Sequence, residues 1–310
     1  MDENLLDHIR GVAVGAAVGD ALGMPLEFKP RRKEQDLVRD MLPGRIPAGT
    51  FTDDTEMALA LGESLLYQLP LDPVDLSERF VAWMHGSPPD IGMHTRAVLQ
   101  RMASGQDWNR AVADVQQAHP TTAGNGSVMR CWPVALVWWH HMPTLIQESV
   151  LQSQVTHPHP ECIAGSAFVN ATIAFLVQGM PAPDAVNQAQ REVDMPQALY
   201  DAISQAPHQS RLDLPNSGWV RHTVESAVWG LLTTGDFESA VVQVVNLGND
   251  ADTAGAVVGA MAGAAYGFTS IPQRWRTLLQ GEFPIGSGKL WNTGNFVQLA
   301  DSLAKAGMQS

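Results

Sequence analysis

Apolar residues recur at helical spacing along most of the chain. In one segment Met57, Leu61, Leu65 and Leu69 fall four residues apart, so they would share one face of a helix. The same spacing predicts further helices at about 73–86, 93–104, 127–140, 160–178, 218–233, 237–246, 253–266 and 291–305. Alternating strand patterns are scarce, since the valine-rich run at 241–245 fits a buried helix as well as a strand. The pattern therefore predicts an all-α protein.

No internal boundary divides the chain. Pro and Gly residues fall between the predicted helices, as in Met180-Pro181-Ala182-Pro183. No long linker, charge block or low-complexity segment interrupts them. Because 45% of the 310 residues are apolar, the chain can bury a large core. We expect residues 1–310 to form a single domain.

Two predicted helices carry a glycine at every fourth position. The two sets are Gly11, Gly15, Gly19 and Gly23, and Gly255, Gly259, Gly263 and Gly267. Each glycine inside a helix costs about 0.8–1 kcal/mol relative to alanine, so a ridge of them needs compensation from close helix packing. We expect the two helices to be central neighbours, which would bring Asp20 and Glu27 towards Asp250 and Asp252. The alternative is two unrelated close-packing sites.

Composition and charge narrow the classes of function. The chain has 19 Lys and Arg residues against 32 Asp and Glu residues, a formal net charge of -13, which disfavours binding to nucleic acid or anionic membranes. Cys131 and Cys162 are expected to be free, buried thiols. The acidic N-terminus does not resemble a signal peptide, and the apolar stretch at 254–268 is too short to span a bilayer. We expect a cytoplasmic protein with no membrane span.

Two acidic motifs lie far apart in the sequence, and each opens a predicted helix. The motifs are Thr52-Asp53-Asp54-Thr55 and Asp250-Ala251-Asp252-Thr253. Both offer hard oxygen ligands with no Cys or His beside them, which favours Mg²⁺ or Mn²⁺ over Zn²⁺. If the fold joins the motifs, they form the carboxylate-lined site typical of a two-metal hydrolase.

Helix capping is the alternative interpretation of each acidic motif. Thr and Asp at a helix start cap free N–H groups, and acidic residues in the first turn interact favourably with the helix dipole. Two features favour a metal site. The consecutive Asp53 and Asp54 exceed what one cap needs, and the tight polar turn at 246–249 would hold the carboxylates that follow it.

Five motifs together resemble the ADP-ribosylglycohydrolase family. They are Gly15-Ala16-Ala17-Val18-Gly19-Asp20-Ala21-Leu22-Gly23, Glu27-Phe28, Thr52-Asp53-Asp54-Thr55-Glu56-Met57, Gly124-Asn125-Gly126-Ser127-Val128-Met129-Arg130 and Asn246-Leu247-Gly248-Asn249-Asp250-Ala251-Asp252-Thr253. Their order and spacing agree with the family over roughly residues 8–280. The segments at 89–92 and 156–160 resemble the bacterial branch that removes ADP-ribose from an arginine of dinitrogenase reductase. Met93 and Trp219 depart from that branch's pattern and leave the target protein open.

The resemblance implies a single compact orthogonal multi-helix bundle with two divalent cations, Mg²⁺ or Mn²⁺, at the bottom of an ADP-ribose cleft. The implied metal ligands are Thr52, Asp53, Asp54, Asp250, Asp252 and Thr253. The implied catalytic carboxylates, acting as acid or base, are Glu27 and Asp90. The implied ADP-ribose contacts are Gly124, Asn125, Gly126, Ser127, Met129, His157 and Trp219.

The implied ligand contacts also have plain structural interpretations. The loop at 124–127 precedes a predicted helix, where backbone N–H groups favour phosphate, but an ordinary glycine loop fits equally well. His157 and His159 would contact the ligand or would be turn histidines fixed by Pro158 and Pro160. Trp219 would stack on the adenine or the distal ribose, or would be an interior residue at a helix start.

The expected activity is metal-dependent hydrolysis of the bond between ADP-ribose and an arginine side chain. The partner would be an ADP-ribosylated protein such as dinitrogenase reductase or the target of a toxin. A second hypothesis keeps the site but changes the linkage to serine or to a free ADP-ribose derivative. A third is an immunity or binding protein that acts against an ADP-ribosyltransferase. We expect a monomer.

Overall fold

A computed structural model describes residues 1–309, which form fifteen α-helices and one short two-stranded sheet. The helices are α1 (Glu3–Gly23), α2 (Asp53–Tyr67), α3 (Pro73–His85), α4 (Met93–Ala103), α5 (Trp108–Ala118), α6 (Trp132–Trp138), α7 (Met142–Gln154), α8 (Pro160–Val177), α9 (Ala182–Glu192), α10 (Gln197–Gln205), α11 (Val220–Thr233), α12 (Phe237–Val245), α13 (Ala251–Tyr266), α14 (Gln273–Leu278) and α15 (Thr293–Gly307). The antiparallel strands β1 (Gln280–Glu282) and β2 (Leu290–Asn292) place Gly281 opposite Trp291. The predicted all-α class is confirmed.

The helices predicted from the apolar spacing and from the glycine spacing are present, and five others are predicted by neither. The five are α5, α7, α9, α10 and α14. The spacing misses α5 because only Ala111, Val112 and Val115 are buried on it, so its apolar stripe is narrow. The helix predicted at 127–140 begins only at Trp132, because residues 126–130 form turns instead.

The glycine ridges of α1 and α13 face each other at the centre of the fold, as predicted. A Cβ atom on Gly15 would overlap the carbonyl oxygen of Gly259, and one on Gly19 would overlap that of Gly255. Gly267 differs from the rest of its set, since it ends α13 with a φ of 80°. The two backbones approach so closely because no side chain separates them, and the C-terminal end of α1 therefore lies beside the start of α13.

Two helices are long and apolar enough to cross a membrane by length and composition alone. They are Glu3–Leu26 and Pro160–Val177, and 89% and 83% of their apolar windows are buried inside the fold. Such burial is typical of core helices in globular proteins. Cys131 and Cys162 are free and buried, as predicted, and burial raises the pKa of both thiols.

Candidate metal centre and ligand cavity

A cavity of about 930 Å³ opens above the junction of α1, α2 and α13. Carboxylates from four separate segments line one end of it. They are Glu27, Asp53, Asp54, Asp90, Asp250 and Asp252. The rest of the lining includes glycine backbone from 124–126 and 218, together with His94, Met129 and His157. The two acidic motifs of the sequence therefore meet in one place, and a polar, partly backbone-lined channel continues from them.

The carboxylates are close enough to hold a cation. One ligand atom from each of Glu27, Asp250 and Asp252 lies within 4.8 Å of the other two. Asp54 is 2% exposed, and its Oδ1 has no hydrogen-bond partner among the described residues. A buried carboxylate oxygen without a donor is costly, whereas Mg²⁺, Mn²⁺ and Ca²⁺ bind such oxygens directly. The donor set fits a hard divalent cation.

The electrostatics of the carboxylate cluster also favour a bound cation. Burial raises the pKa of Asp252 well above its usual value, and repulsion from Asp54 and Asp250 raises it further. Burial likewise raises the pKa of Asp53 and of Asp54, and neighbouring carboxylates add to both shifts. The protein alone therefore disfavours the ionised cluster, and positive charge placed among these groups would favour it.

Helix capping does not account for the two acidic motifs. Thr52 occupies the N-cap of α2 and Asp250 the N-cap of α13, but neither side chain caps its helix. The Thr52 hydroxyl instead lies 2.8 Å from Asp20 Oδ1 and 3.1 Å from Asp54 Oδ2. Asp250 Oδ2 accepts from the Asn125 amide at 2.8 Å. Asp250 therefore lines the cavity, whereas Thr52 holds Asp20 and Asp54 beside it.

Asp20 organises the start of α2 from behind the cavity. It is fully buried and accepts hydrogen bonds from the backbone N–H and the hydroxyl of both Thr52 and Thr55, at 2.6 to 3.2 Å. Burial raises its pKa to about 6, although these hydrogen bonds act in the opposite direction. From the sequence we expected Asp20 to lie near Asp250 and Asp252, but its function was not predicted. Its position between Gly19 and Gly23, in the last turn of the glycine ridge, is the signal that links it to the site.

The loop at 124–130 joins the acidic cluster to the rest of the cavity. Asn125 donates to Asp250 and to the Thr223 hydroxyl, so it positions a carboxylate as well as lining the cavity. Gly126 is required by crowding, because a Cβ atom there would lie 2.7 Å from Cε1 of His157. Gly124, Gly126 and Met129 also line the cavity, as expected for ligand contacts.

His157 and His159 have different positions. His159 is a turn histidine, whose Nδ1 accepts from the backbone N–H of Glu161 at the start of α8. His157 is 3% exposed and lines the cavity. Its Nδ1 lies 2.8 Å from the Thr156 hydroxyl, which itself accepts from Arg130. His157 Nε2 faces the glycine loop, and in the tautomer whose Nδ1 accepts the Thr156 hydroxyl proton, Nε2–H is a donor for a ligand oxygen.

Two of the predicted ligand contacts are not brought to the cavity lining. Ser127 is fully buried, and its hydroxyl lies 2.9 Å from that of Ser153, behind the loop. Trp219 is 42% exposed, and its indole N–H donates to Glu161 at 2.8 Å, which holds the ring beside the cavity rather than in its lining. Both side chains therefore lie outside the cavity lining. The remaining predicted contacts and carboxylates all lie along the cavity, except Thr52, which supports it through Asp20 and Asp54.

Replacing His157 by Asn should reduce the dependence of stability on pH. Burial lowers the pKa of His157 well below its usual value, and His94 and Arg130 lower it further. Below about pH 6.5 the unfolded chain binds a proton on His157 that the folded protein does not, so stability falls as the pH falls, by up to about 1.4 kcal/mol per pH unit. Urea unfolding at pH 7.5, 6.0 and 5.0 measures this slope.

The control for this measurement is His208→Asn, because His208 is exposed and does not line the cavity. The acidic cluster titrates in all three proteins, so the difference between slopes isolates His157. A His157→Asn protein with the same slope as the wild type would contradict the buried neutral histidine.

Comparison with known proteins identifies the family and the fold. The sequence model described as ADP-ribosylglycohydrolase matches residues 1–310. The chain belongs to the ADP-ribosylglycohydrolase family. A solved structure titled "ADP-ribosylglycohydrolase-related protein complex" superposes with a TM-score of 0.81 at 30% sequence identity, covering 99% of this chain and 100% of the other. The predicted family and fold are both confirmed.

Three curated relatives indicate the range of activities around this chain. ADP-ribosylarginine hydrolase Tri1 of Pseudomonas putida is 33% identical over 88% of this chain and 74% of the relative. ADP-ribosyl-[dinitrogen reductase] glycohydrolase of Rhodospirillum rubrum is 33% identical, covering 88% and 90%. Human ADP-ribosylhydrolase ARH3 is 25% identical, covering 89% and 90%. Hydrolysis of an ADP-ribosyl bond is therefore the activity class of this protein.

Proposed function

We propose that this protein hydrolyses the N-glycosidic bond between ADP-ribose and an arginine side chain of a modified protein, with bound Mg²⁺ or Mn²⁺. The observation that carries the proposal is the convergence of Glu27, Asp54, Asp90, Asp250 and Asp252 at one end of a single cavity. The two relatives at 33% identity are named for removing ADP-ribose from arginine and from dinitrogen reductase, which favours the arginine linkage over others.

The cavity suits a long ligand, because its two parts offer different chemical groups. At the acidic end, hard oxygen ligands face the space where the reacting ribose would lie. Beyond it, the backbone of Gly124 and Gly126 and the Nε2–H of His157 offer neutral donors, which suit a diphosphate. Its volume of about 930 Å³ is within the range of small-molecule sites, roughly 300–1,000 Å³.

The cations would be held by Asp53, Asp54, Asp250, Asp252 and Thr253, with Thr52 in support. When bound, they would orient ribose hydroxyls and lower the pKa of a bound water. Asp20 fixes the start of α2 by its four hydrogen bonds, which presents Asp54 to the cavity. Asn125 fixes Asp250. These two contacts limit the reorganisation that a cation would require.

Glu27 and Asp90 are the candidates for proton transfer. Both line the acidic end, on segments outside the two metal motifs. In a glycosidase one carboxylate takes a proton from the attacking water while another group stabilises or protonates the leaving group. A guanidine leaving group is strongly basic, so a nearby acid that keeps it cationic lowers the barrier to bond cleavage. We assign this pair to those tasks, without dividing the tasks between them.

A linkage comparison tests the proposal. Two synthetic peptides of the same sequence carry ADP-ribose on either an arginine or a serine at one position, and released ADP-ribose is quantified by chromatography with Mg²⁺ present. We expect release from arginine to be at least roughly tenfold faster, because a site shaped for one polar group discriminates against another. Equal or faster release from serine would reject the arginine linkage and leave the hydrolase class intact.

A further inference from the structure

A guanidinium group of the protein itself lies at the acidic end of the cavity. Arg45 forms ion pairs with Glu27, with Asp90 Oδ2 at 2.9 Å and with Asp252 Oδ2 at 3.5 Å. These carboxylates come from three separate segments, the turn after α1, the segment before α4 and the start of α13. The sequence does not indicate a function for Arg45, because it is a lone basic residue in a segment without helix or strand periodicity.

Glu27 and Asp90 form a receptor for a guanidinium, and Asp252, which the cations would also bind, borders it. Glu27 and Asp252 are nearly buried, with side chains 9% and 4% exposed, and Asp90 is 33% exposed. A planar guanidinium presents five N–H donors in a fixed fork, which carboxylates satisfy better than any neutral group. The contacts of Arg45 therefore indicate that this end of the cavity accepts a guanidinium.

We propose that Arg45 is an intramolecular competitor that occupies the subsite for the guanidinium of the ADP-ribosylated arginine. The inference rests on the proposed arginine linkage. The bond to be cleaved joins ribose C1 to a guanidinium nitrogen, so substrate and product both carry this group at the acidic end. Two guanidinium cations cannot share Glu27 and Asp90 without strong repulsion. Arg45 must leave these carboxylates before the substrate's arginine binds them.

The surroundings of Arg45 allow it to move. Residues 37–52 contain no α-helix or strand, and Arg45 follows Pro43 and Gly44 and precedes Pro47 within that span. Its side chain is 30% exposed, so its ion pairs are partly screened by solvent. Withdrawal of Arg45 would break contacts between side chains without disrupting a helix. The Arg45 side chain can therefore alternate between a closed form, on the carboxylates, and an open form that accepts a ligand.

The alternative is that Arg45 is a permanent structural link, which we call the strut. In that account Arg45 permanently ties the segment after α1 to the segment before α4, and its removal would loosen Glu27 and Asp90. The strut predicts weaker guanidinium binding when Arg45 is lost, because the receptor would no longer be organised. The competitor predicts stronger binding. The two accounts therefore give opposite signs for one measurement.

The test is calorimetric titration of methylguanidinium into the full-length protein saturated with Mg²⁺, as wild type and as Arg45→Ala. If Arg45 occupies the subsite about nine-tenths of the time, its removal should tighten methylguanidinium binding roughly tenfold. Urea, which has a similar shape but no charge, should bind no better to Arg45→Ala than to the wild type. Arg45→Gln serves as a second variant if the alanine variant does not fold.

Two further variants test whether the change in affinity is specific to Arg45 and whether it depends on Asp90. Arg96→Ala removes one exposed positive charge from α4, next to the cavity mouth, and should leave methylguanidinium affinity unchanged. Adding Asp90→Asn to Arg45→Ala should abolish the gain in affinity. Unchanged or weaker binding in Arg45→Ala, or no binding in any variant, would overturn the competitor. Peptide hydrolysis is measured separately, so hydrolysis of the arginine-linked peptide without the gain in binding would reject only this inference.

Discussion

Replacing Asp252 by Asn is expected to reduce ADP-ribose release by about 10²–10³-fold, the range seen when one electrostatic stabiliser is removed from an active site. Asp252 is 3% exposed, and one of its oxygens lies within 4.8 Å of ligand atoms of Glu27 and Asp250. The amide keeps the shape of the side chain but removes the charge that a divalent cation requires. Release is measured by chromatography, and Mn²⁺ affinity by calorimetry on the same protein.

The same substitution should not destabilise the protein measured in EDTA. Burial and repulsion from Asp54 and Asp250 raise the pKa of Asp252, so removing its charge relieves a cost to the folded state. A functional role therefore predicts lost activity and lost Mn²⁺ binding with equal or greater thermal stability. Asp201→Asn removes one charge from an exposed position on α10 and should change none of these quantities. An Asp252→Asn protein that keeps full activity would remove Asp252 from the metal centre.

Replacing Gly259 by Ala should lower the free energy of unfolding by about 1–3 kcal/mol, the usual cost of an extra methyl group in a tightly packed core. The new Cβ atom would overlap the carbonyl oxygen of Gly15 on α1, and backbone cannot rotate away as a side chain can. Helix propensity alone predicts the opposite sign, a gain of about 0.8–1 kcal/mol. The sign of the change, measured by urea unfolding, therefore decides whether α1 and α13 are in rigid contact.

The matched control for this substitution is Gly235→Ala, since a Cβ atom on Gly235 meets nothing within 4 Å. We also expect Gly259→Ala to bind Mn²⁺ more weakly than the wild type, because separation of the helices moves Asp252 away from the end of α1. A Gly259→Ala protein as stable as the wild type would show that the two helices separate without cost.

The sequence predicts those parts of the site in which a short motif places metal-ligating side chains at the start of a helix. Thr52 to Asp54 and Asp250 to Thr253 each combine hard ligands with a helix start. The glycine spacing explains why α1 lies against α13, and the hydrogen bonds of Asp20 on α1 to Thr52 and Thr55 bring the α2 motif to the same place. The prediction of adjacent helices depended only on a steric rule, that four glycines in a row on one face need a close neighbour.

Other parts could not be predicted, because they depend on side-chain direction or on irregular backbone. Ser127 and Trp219 belong to motifs that border the cavity, but their hydrogen bonds to Ser153 and Glu161 hold them outside its lining. Arg45 lies in a segment with no periodicity, so nothing in its neighbours indicates that it reaches Asp90. A motif locates a segment near a site, whereas the packing behind the segment decides which side chains enter it.

We expect one cation-dependent centre, built from residues 52–54 and 250–253, to hydrolyse an ADP-ribosyl bond. The most direct test of this expectation is the release of ADP-ribose from an arginine-ADP-ribosylated protein by the wild-type enzyme, first in EDTA and then after addition of Mn²⁺ or Mg²⁺. The account predicts no release in EDTA and rapid release after either cation is added. Release in EDTA at the full rate would contradict it.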